Sequence, residues 1–313
     1  MPDAIKIFAG TASKALAKEI CGHLQCVLGR SETKTFANDN TFVQIFENVR
    51  EVDCFVVQTS IAPVNDNLME ALIMIDAMRR ASARRINLVM PYYAYARSDK
   101  KDMPRIAITA SLVARLLEAA GVDRLICMDL HAEQIQGFFN IPVDQLLAAP
   151  IICDFLRSRK IPDLTIVSPD AGGARRAREY ADRLGCDLAI VDKVRDKTGK
   201  GITVHNIIGD VKGRTCVLVD DEINSGGSIT KAYEACKKFG AKKVYAAATH
   251  PVFGTDAAKT LAQSGLTEVI VTNTVPIPGP YDKRKIKVLS VARLFAKAIR
   301  NIHTGKSVSV LFR

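Results

Sequence analysis

A chain of 313 residues, 48% apolar and 25% charged, has the composition of a globular protein and the length for two domains of ordinary size. Its formal net charge is +11, with no tryptophan and few aromatics, which favours small polyanionic partners over nucleic acid. No apolar run approaches membrane-spanning length, since even Leu72–Met78 is broken by Asp76, and Met1–Gly10 has no signal-peptide pattern.

Taken in order, Ile5–Phe8 reads as a first strand and Ser13–Cys26 as a helix with Ser13 as its N-cap. Thr33–Phe36 and Phe42–Phe46 read as short strands around a polar turn, Ala37-Asn38-Asp39-Asn40. Asp53–Gln58 is a buried strand, Asn67–Ala81 an amphipathic helix, and Ile86–Met90 a strand ending at Pro91. Tyr92–Asp102 is polar, aromatic and basic. Pro104–Ala120 reads as a helix ending at Gly121, and Leu125–Met128 as a strand delivering Asp129-Leu130-His131.

The alternation then repeats. Ile151–Arg159 is helical, and Leu164–Val167 is a strand ending in Ser168-Pro169-Asp170-Ala171-Gly172-Gly173. The helix Ala174–Leu184 and the strand Leu188–Val191 follow, and then a charged loop, Asp192–His205. Cys216–Val219 is a buried strand, Ile229–Phe239 a helix and Val244–Ala248 a strand. Asp256–Gln263, Glu268–Thr272 and Val291–Ile302 close the series as helix, strand and helix. The fold class is therefore α/β, with two tandem doubly wound parallel-sheet domains, 1–147 and 148–313. Eight cysteines with no Cys-x-x-Cys pair, several of them in apolar runs, fit free thiols in a reducing cytoplasm.

The chemistry centres on Thr215–Ser228, T-C-V-L-V-D-D-E-I-N-S-G-G-S. Asp220 and Asp221 stand at the end of a buried strand, where open α/β sheets bind ligands. Gly226 and Gly227 allow close backbone approach, and the amides of Ser225–Ser228 at a helix start suit a phosphate. Two carboxylates beside an anion site make sense for a sugar phosphate, whose hydroxyls they accept. A Walker loop is excluded, because the Gly-Lys-Ser at Gly305–Ser307 has Arg300 where the first glycine is needed. Lys193 and Arg195 alternate past a strand, so both project to one side, where cations would face bound phosphates. Asp170 lies in a second acid-and-glycine turn, and His131 just past a strand end can hold a metal or a phosphate oxygen.

The Thr215–Ser228 stretch resembles the loop shared by type I phosphoribosyltransferases and ribose-phosphate pyrophosphokinases. Asp129-Leu130-His131-Ala132, continuing to Gln136-Gly137-Phe138-Phe139, closely resembles the signature of the second family. That resemblance covers nearly the whole chain and implies two type I phosphoribosyltransferase-like domains. It implies transfer of pyrophosphate from MgATP to ribose 5-phosphate, giving 5-phosphoribosyl 1-pyrophosphate and AMP. It also implies Lys193 and Arg195 as catalytic, Arg195 touching ribose phosphate as well, and His131 and Asp170 as holders of Mg2+. The implied ATP site is Phe36, Asn38, Asp39, Asn40, Arg97, Ser98, Asp99 and His131, the first four reaching into a neighbouring subunit. The implied ribose 5-phosphate site is Asp220, Asp221, Asn224, Ser225, Gly226, Gly227 and Ser228, with Arg195. A homohexamer, inhibited by ADP and activated by phosphate, is the implied assembly. Three positions depart from the family pattern: Asn40 for a glutamate, Ser98 for a glutamine and Asn224 for an aspartate. A phosphoribosyltransferase would explain Thr215–Ser228 but not Asp129–Phe139. A regulatory homologue without activity is the other alternative, and His131, Asp170, Lys193 and Arg195 together argue against it.

Overall fold

The apolar runs lie in two largely parallel sheets, each in its own unit. The structure, a computed structural model, describes residues 5–195, 202–254 and 256–311, with the backbone alone for 193–195 and 202–205. The first unit is Met1–Leu147 with Thr274–Pro276 and Ser290–Arg313; the second is Ala148–Asn273 with Ile277–Leu289.

The first unit runs β1 (Ile5–Ala9), α1 (Lys14–Leu24), β2 (Ser31–Thr35), β3 (Thr41–Ile45), β4 (Asp53–Val57), α2 (Val64–Arg80), β5 (Arg85–Val89), α3 (Thr109–Ala120), β6 (Arg124–Met128) and β7 (Val143–Leu146). Its sheet is parallel throughout, in the order β1-β4-β5-β6-β7. Every residue of β4 is buried, as a strand covered on both faces requires. Phe8, Cys54, Val56, Leu88 and Leu125 meet Met74, Ile75 and Met78 of α2 and Val113 and Leu117 of α3. β2 and β3 form a separate antiparallel hairpin, whose Val43 and Ile45 join the same core.

Three expectations shift here. The helix expected from Pro104 starts only at Thr109, because proline favours a break and Arg105 takes a left-handed φ of +64°. Ser13 makes no side-chain cap; its Oγ instead accepts the Thr59 amide at 2.8 Å. Residues 290–313 belong to the first unit, so the second ends at Leu289 and does not run to 313. The reason is α8 (Ala292–His303), whose stripe of Phe295, Ala296, Ile299 and Ile302 is buried and which packs on α1.

His303, at the end of α8, lies 2.8 Å from the Asp53 carboxylate. Arg84 at 3.0 Å and Arg85 also bond Asp53, whose side chain is 0% exposed. Burial alone would raise this carboxyl, but hydrogen bonds from Arg85, Arg84 and His303 outweigh it and hold it well below the usual range. Asp53→Ala should cost about 3 kcal/mol, the low end for breaking a buried pair, because both guanidiniums are more than a third exposed. A depressed folded pKa contributes stability above the unfolded value of about 4 and loses it as pH falls below that. The gap in urea midpoint between wild type and variant should therefore be full at neutral pH and narrow in acid.

The second unit runs α4 (Ala149–Ser158), β8 (Leu164–Ser168), α5 (Ala174–Leu184), β9 (Asp187–Arg195), β10 (Ile202–Ile208), β11 (Thr215–Glu222), α6 (Gly227–Lys238), β12 (Lys243–His250), α7 (Ala257–Gln263), β13 (Val269–Thr272) and β14 (Ile286–Leu289). The sheet order is β10-β9-β8-β11-β12-β13-β14. Within this sheet, only the β9–β10 pairing is antiparallel among the described strands. Much of the expected loop 192–205 is thus an edge ribbon, Val204 facing Lys193 and Ile202 facing Arg195. Its charges hid the strand, since an edge ribbon has no need to be apolar. Residues 196–201, the centre of that expected loop, lie outside the described residues. All eight cysteines are free thiols.

Candidate active site

In the second unit the chain leaves β8 for β9 on one side, while β11 lies on the other. Diverging connections open a crevice at the carboxyl ends of those strands. Three adjacent strands end there. β8 is followed by Asp170, β9 carries Lys193 and Arg195, and β11 carries Asp220 and Asp221. β11 continues to Glu222, so both aspartates are in the strand and not beyond it: Asp220 is in register with Ala248, and Glu222 with His250. The side chains of Lys193 and Arg195 lie outside the described residues.

Asp221 is buried and Asp220 partly exposed. The Asp221 amide donates to Asp220 Oδ1 at 2.9 Å. Arg176, in the first turn of α5, places Nη1 at 3.3 Å from Asp220 Oδ1 and 3.2 Å from Asp221 Oδ1. Burial, then the hydrogen bond and charge of Asp221, push the Asp220 carboxyl upward, and Arg176 opposes them. Arg176 was not singled out in the sequence. A signal existed: an arginine one helical turn after an acid-and-glycine turn can point back over the neighbouring strand end.

Past β11, the Ile223 amide donates to His250 O, and the Phe253 and Gly254 amides to Ile223 O and Asn224 O, each at 3.0 Å. These bonds fix the loop entering α6. Gly226 has φ +79°, a conformation that disfavours a side chain. Ser225 Oγ accepts the Gly227 amide at 3.3 Å. Asn224, Ser225 and Ser228 are exposed around the amino end of this 12-residue helix. Helix starts carry amide groups that the helix itself does not satisfy, so the loop offers an anion cradle beside the acid pair. Asp170, also exposed, accepts the Gly173 amide on Oδ1 at 3.1 Å.

Two open cavities of the second unit, of about 360 and 570 Å³, contain none of these residues. They are lined by Thr215 and Lys243 in one case and by Leu164 and Asp187 in the other, at the starts of strands and away from the crevice.

In the first unit, β5 and β6 are parallel neighbours, and their following loops hold Arg97, Ser98, Asp99 and His131. Gln134 Nε2 joins the two loops by donating to Asp99 Oδ2 at 2.9 Å. The Ala110 amide donates to Ser98 O at 3.2 Å, and Tyr93 Oη to Ala110 O at 2.8 Å, which seats the first loop on α3. Arg97 and His131 are exposed, while Asp99 is buried. Phe36, Asn38, Asp39 and Asn40 are exposed at the tip of the separate hairpin. There the Phe36 amide donates to Asn40 O at 2.9 Å, and the Phe36 and Phe42 rings lie 5.7 Å apart.

No group of three His, Cys, Asp or Glu side chains poised to hold a metal occurs among the described residues. A sparse donor set suits a hard cation that takes one or two protein ligands and completes its shell with phosphate and water. Asp170, an exposed carboxylate at the crevice, is a donor of that kind.

Two family models match the chain: the N-terminal domain of ribose phosphate pyrophosphokinase over residues 5–121, and the phosphoribosyl synthetase-associated domain over 193–313. A ribose-phosphate pyrophosphokinase of Caldanaerobacter subterraneus subsp. tengcongensis is 50% identical, over 99% of this chain and 98% of its own. One from Burkholderia pseudomallei is 49% identical, over 99% and 98%. The crystal structure of phosphoribosylpyrophosphate synthetase from Mycobacterium smegmatis superposes with a TM-score of 0.91 at 43% identity, covering 96% of this chain and 99% of that one.

Proposed function

The chain belongs to the ribose-phosphate pyrophosphokinase family, and on that premise we propose how its residues carry out the reaction. The enzyme makes 5-phosphoribosyl 1-pyrophosphate from ribose 5-phosphate. The anomeric oxygen forms a bond to the β-phosphorus of ATP. The bond from that phosphorus to the oxygen it shares with the α-phosphorus breaks, AMP leaves with that oxygen, and the hydroxyl proton is released. Alignment and charge stabilisation suffice for such a transfer, with no covalent intermediate.

The observation that carries the residue assignment is the Asp220–Asp221 pair beside the amino end of α6. The carboxylates accept the ribose hydroxyls while the Asn224–Ser228 loop holds the 5-phosphate. Lys193 and Arg195, at the end of β9, meet the charge moving between the substrates. Arg97, Ser98, Asp99 and His131 take ATP, with Phe36 and Asn38–Asn40. Asp170 and His131 would hold Mg2+, which would supply positive charge to offset that of the phosphates. A hexamer answering to ADP and phosphate, working in the cytoplasm, completes the proposal. No described helix is long and apolar enough to cross a membrane.

The test is AMP release. One AMP should appear for each phosphoribosyl pyrophosphate formed from ATP and ribose 5-phosphate. A phosphoribosyltransferase would consume that product and release no AMP, and a non-catalytic homologue would give neither.

Arg176→Ala should raise KM for ribose 5-phosphate about tenfold or more, and KM for ATP little, because two adjacent acids lose their shared cation. Without Arg176 the raised Asp220 carboxyl rises further, so sugar affinity should recover as pH increases. KM measured from neutral to alkaline pH checks this. An unchanged profile removes Arg176 from the site.

A further inference from the structure

Glu70, on the second turn of α2, is 2% exposed, and every hydrogen bond it accepts comes from a neutral donor. The Thr11 amide reaches both carboxylate oxygens at 3.1 Å, and Thr11 Oγ1 donates to Oε2 at 2.6 Å. Gln58 Nε2 donates to Oε2 at 2.7 Å. Thr33 Oγ1 donates to Oε1 at 2.7 Å. Thr11 follows β1 and Gln58 follows β4, so two of the three partners belong to the sheet's carboxyl edge. The third belongs to the hairpin.

The sheet side of this contact is stiff. Gln58 Nε2 also meets Asn67 Oδ1 at 3.2 Å, and Asn67 Nδ2 donates to Ile61 O at 2.7 Å. Gly10 packs so closely that a Cβ there would lie 2.3 Å from the Gln58 amide. The hairpin side has a lever. Thr33 pairs with Val43, so the two side chains share the face turned to α2. Phe36 lies three residues beyond Thr33, roughly 10 Å along the strand. A small tilt at Thr33 therefore becomes a displacement at Phe36–Asn40. Lys6–Glu47 ties only the hairpin's base.

A buried carboxylate is a poor choice if stability is the sole need, since an apolar residue avoids the cost of desolvation. What it adds is direction. We propose that Glu70, through Thr33, is a positioning residue for the nucleotide, setting the angle at which the hairpin presents Phe36–Asn40. This rests on the reading that the turn takes ATP.

Thr33→Val keeps the side chain's shape and removes the one donor from the hairpin. Thr33→Ser restores it. Glu70→Gln sets an amide N–H against donors and disturbs all three partners, so Thr33→Val is the cleaner variant. In the full-length enzyme, Thr33→Val should speed amide exchange across 31–45 and raise KM for ATP about fivefold. KM for ribose 5-phosphate and kcat should stay within about twofold, and Thr33→Ser should return to wild type. Phe36→Ala, measured alongside, tests the turn itself and should raise KM for ATP. A raised KM for ATP in Phe36→Ala with wild-type exchange and KM in Thr33→Val overturns the positioning role alone. Faster exchange in Thr33→Val with KM for ATP unchanged in both variants overturns the assignment of the turn to ATP, and the positioning role with it.

Discussion

Lys193→Ala is expected to lose roughly two to four orders of magnitude in kcat, the scale of a lost electrostatic stabiliser. Position is the argument. β9 adjoins β8, which leads to Asp170, and β8 adjoins β11, which carries Asp220 and Asp221. We expect a cation at the carboxyl end of β9 to meet negative charge as it shifts toward departing AMP. An interaction made mostly in the transition state lowers turnover and leaves apparent affinity nearly unchanged. Ribose 5-phosphate should still bind, because the acid pair and the α6 loop are untouched. Arg195→Ala should weaken sugar-phosphate binding as well, since a guanidinium can bridge two anions. Steady-state kinetics beside direct binding of each substrate decides it. Near-normal turnover in Lys193→Ala would take this strand out of the mechanism.

Removal of divalent metal is expected to abolish turnover altogether, and Mg2+ to restore it. Asp220 and Asp221 at the crevice share Arg176, so we expect the exposed Asp170 to be the carboxylate that a metal there takes. Asp170→Asn should raise the Mg2+ concentration needed for half-maximal rate, while unfolding midpoints stay close to wild type because the residue is exposed. Full turnover in chelator-treated enzyme without added metal would refute the requirement. An unaltered Mg2+ dependence in Asp170→Asn would move the metal elsewhere.

The parts legible in the sequence are those where one physical demand fixes composition. A strand covered on both faces has to be largely apolar, and Cys54–Val57 and Cys216–Val219 announce themselves that way. A backbone that must approach an anion needs small residues, and Ser225-Gly226-Gly227-Ser228 shows it. What escaped is polar at the edge or made of distant pairs. Val143–Leu146 and Ile202–Ile208 are edge strands whose partners, not their own composition, make them strands. Arg176 and Glu70 gain their meaning from residues 44 and 59 positions away, and no local pattern carries that.

The return of α8 to the first unit has a consequence for biosynthesis. During translation α1 emerges early, with Leu16, Ala17, Ile20 and Cys21 on the side that becomes buried. Its covering partner, α8, is made only after the entire second unit. Domains otherwise fold as they leave the ribosome, first one first. Here the first-made unit is the last to be finished. Until α8 arrives, an apolar flank of α1 stays open and Asp53 lacks the imidazole that joins its two arginines. A nascent chain stalled in the second unit would thus be a natural client for chaperones that hold exposed apolar helices.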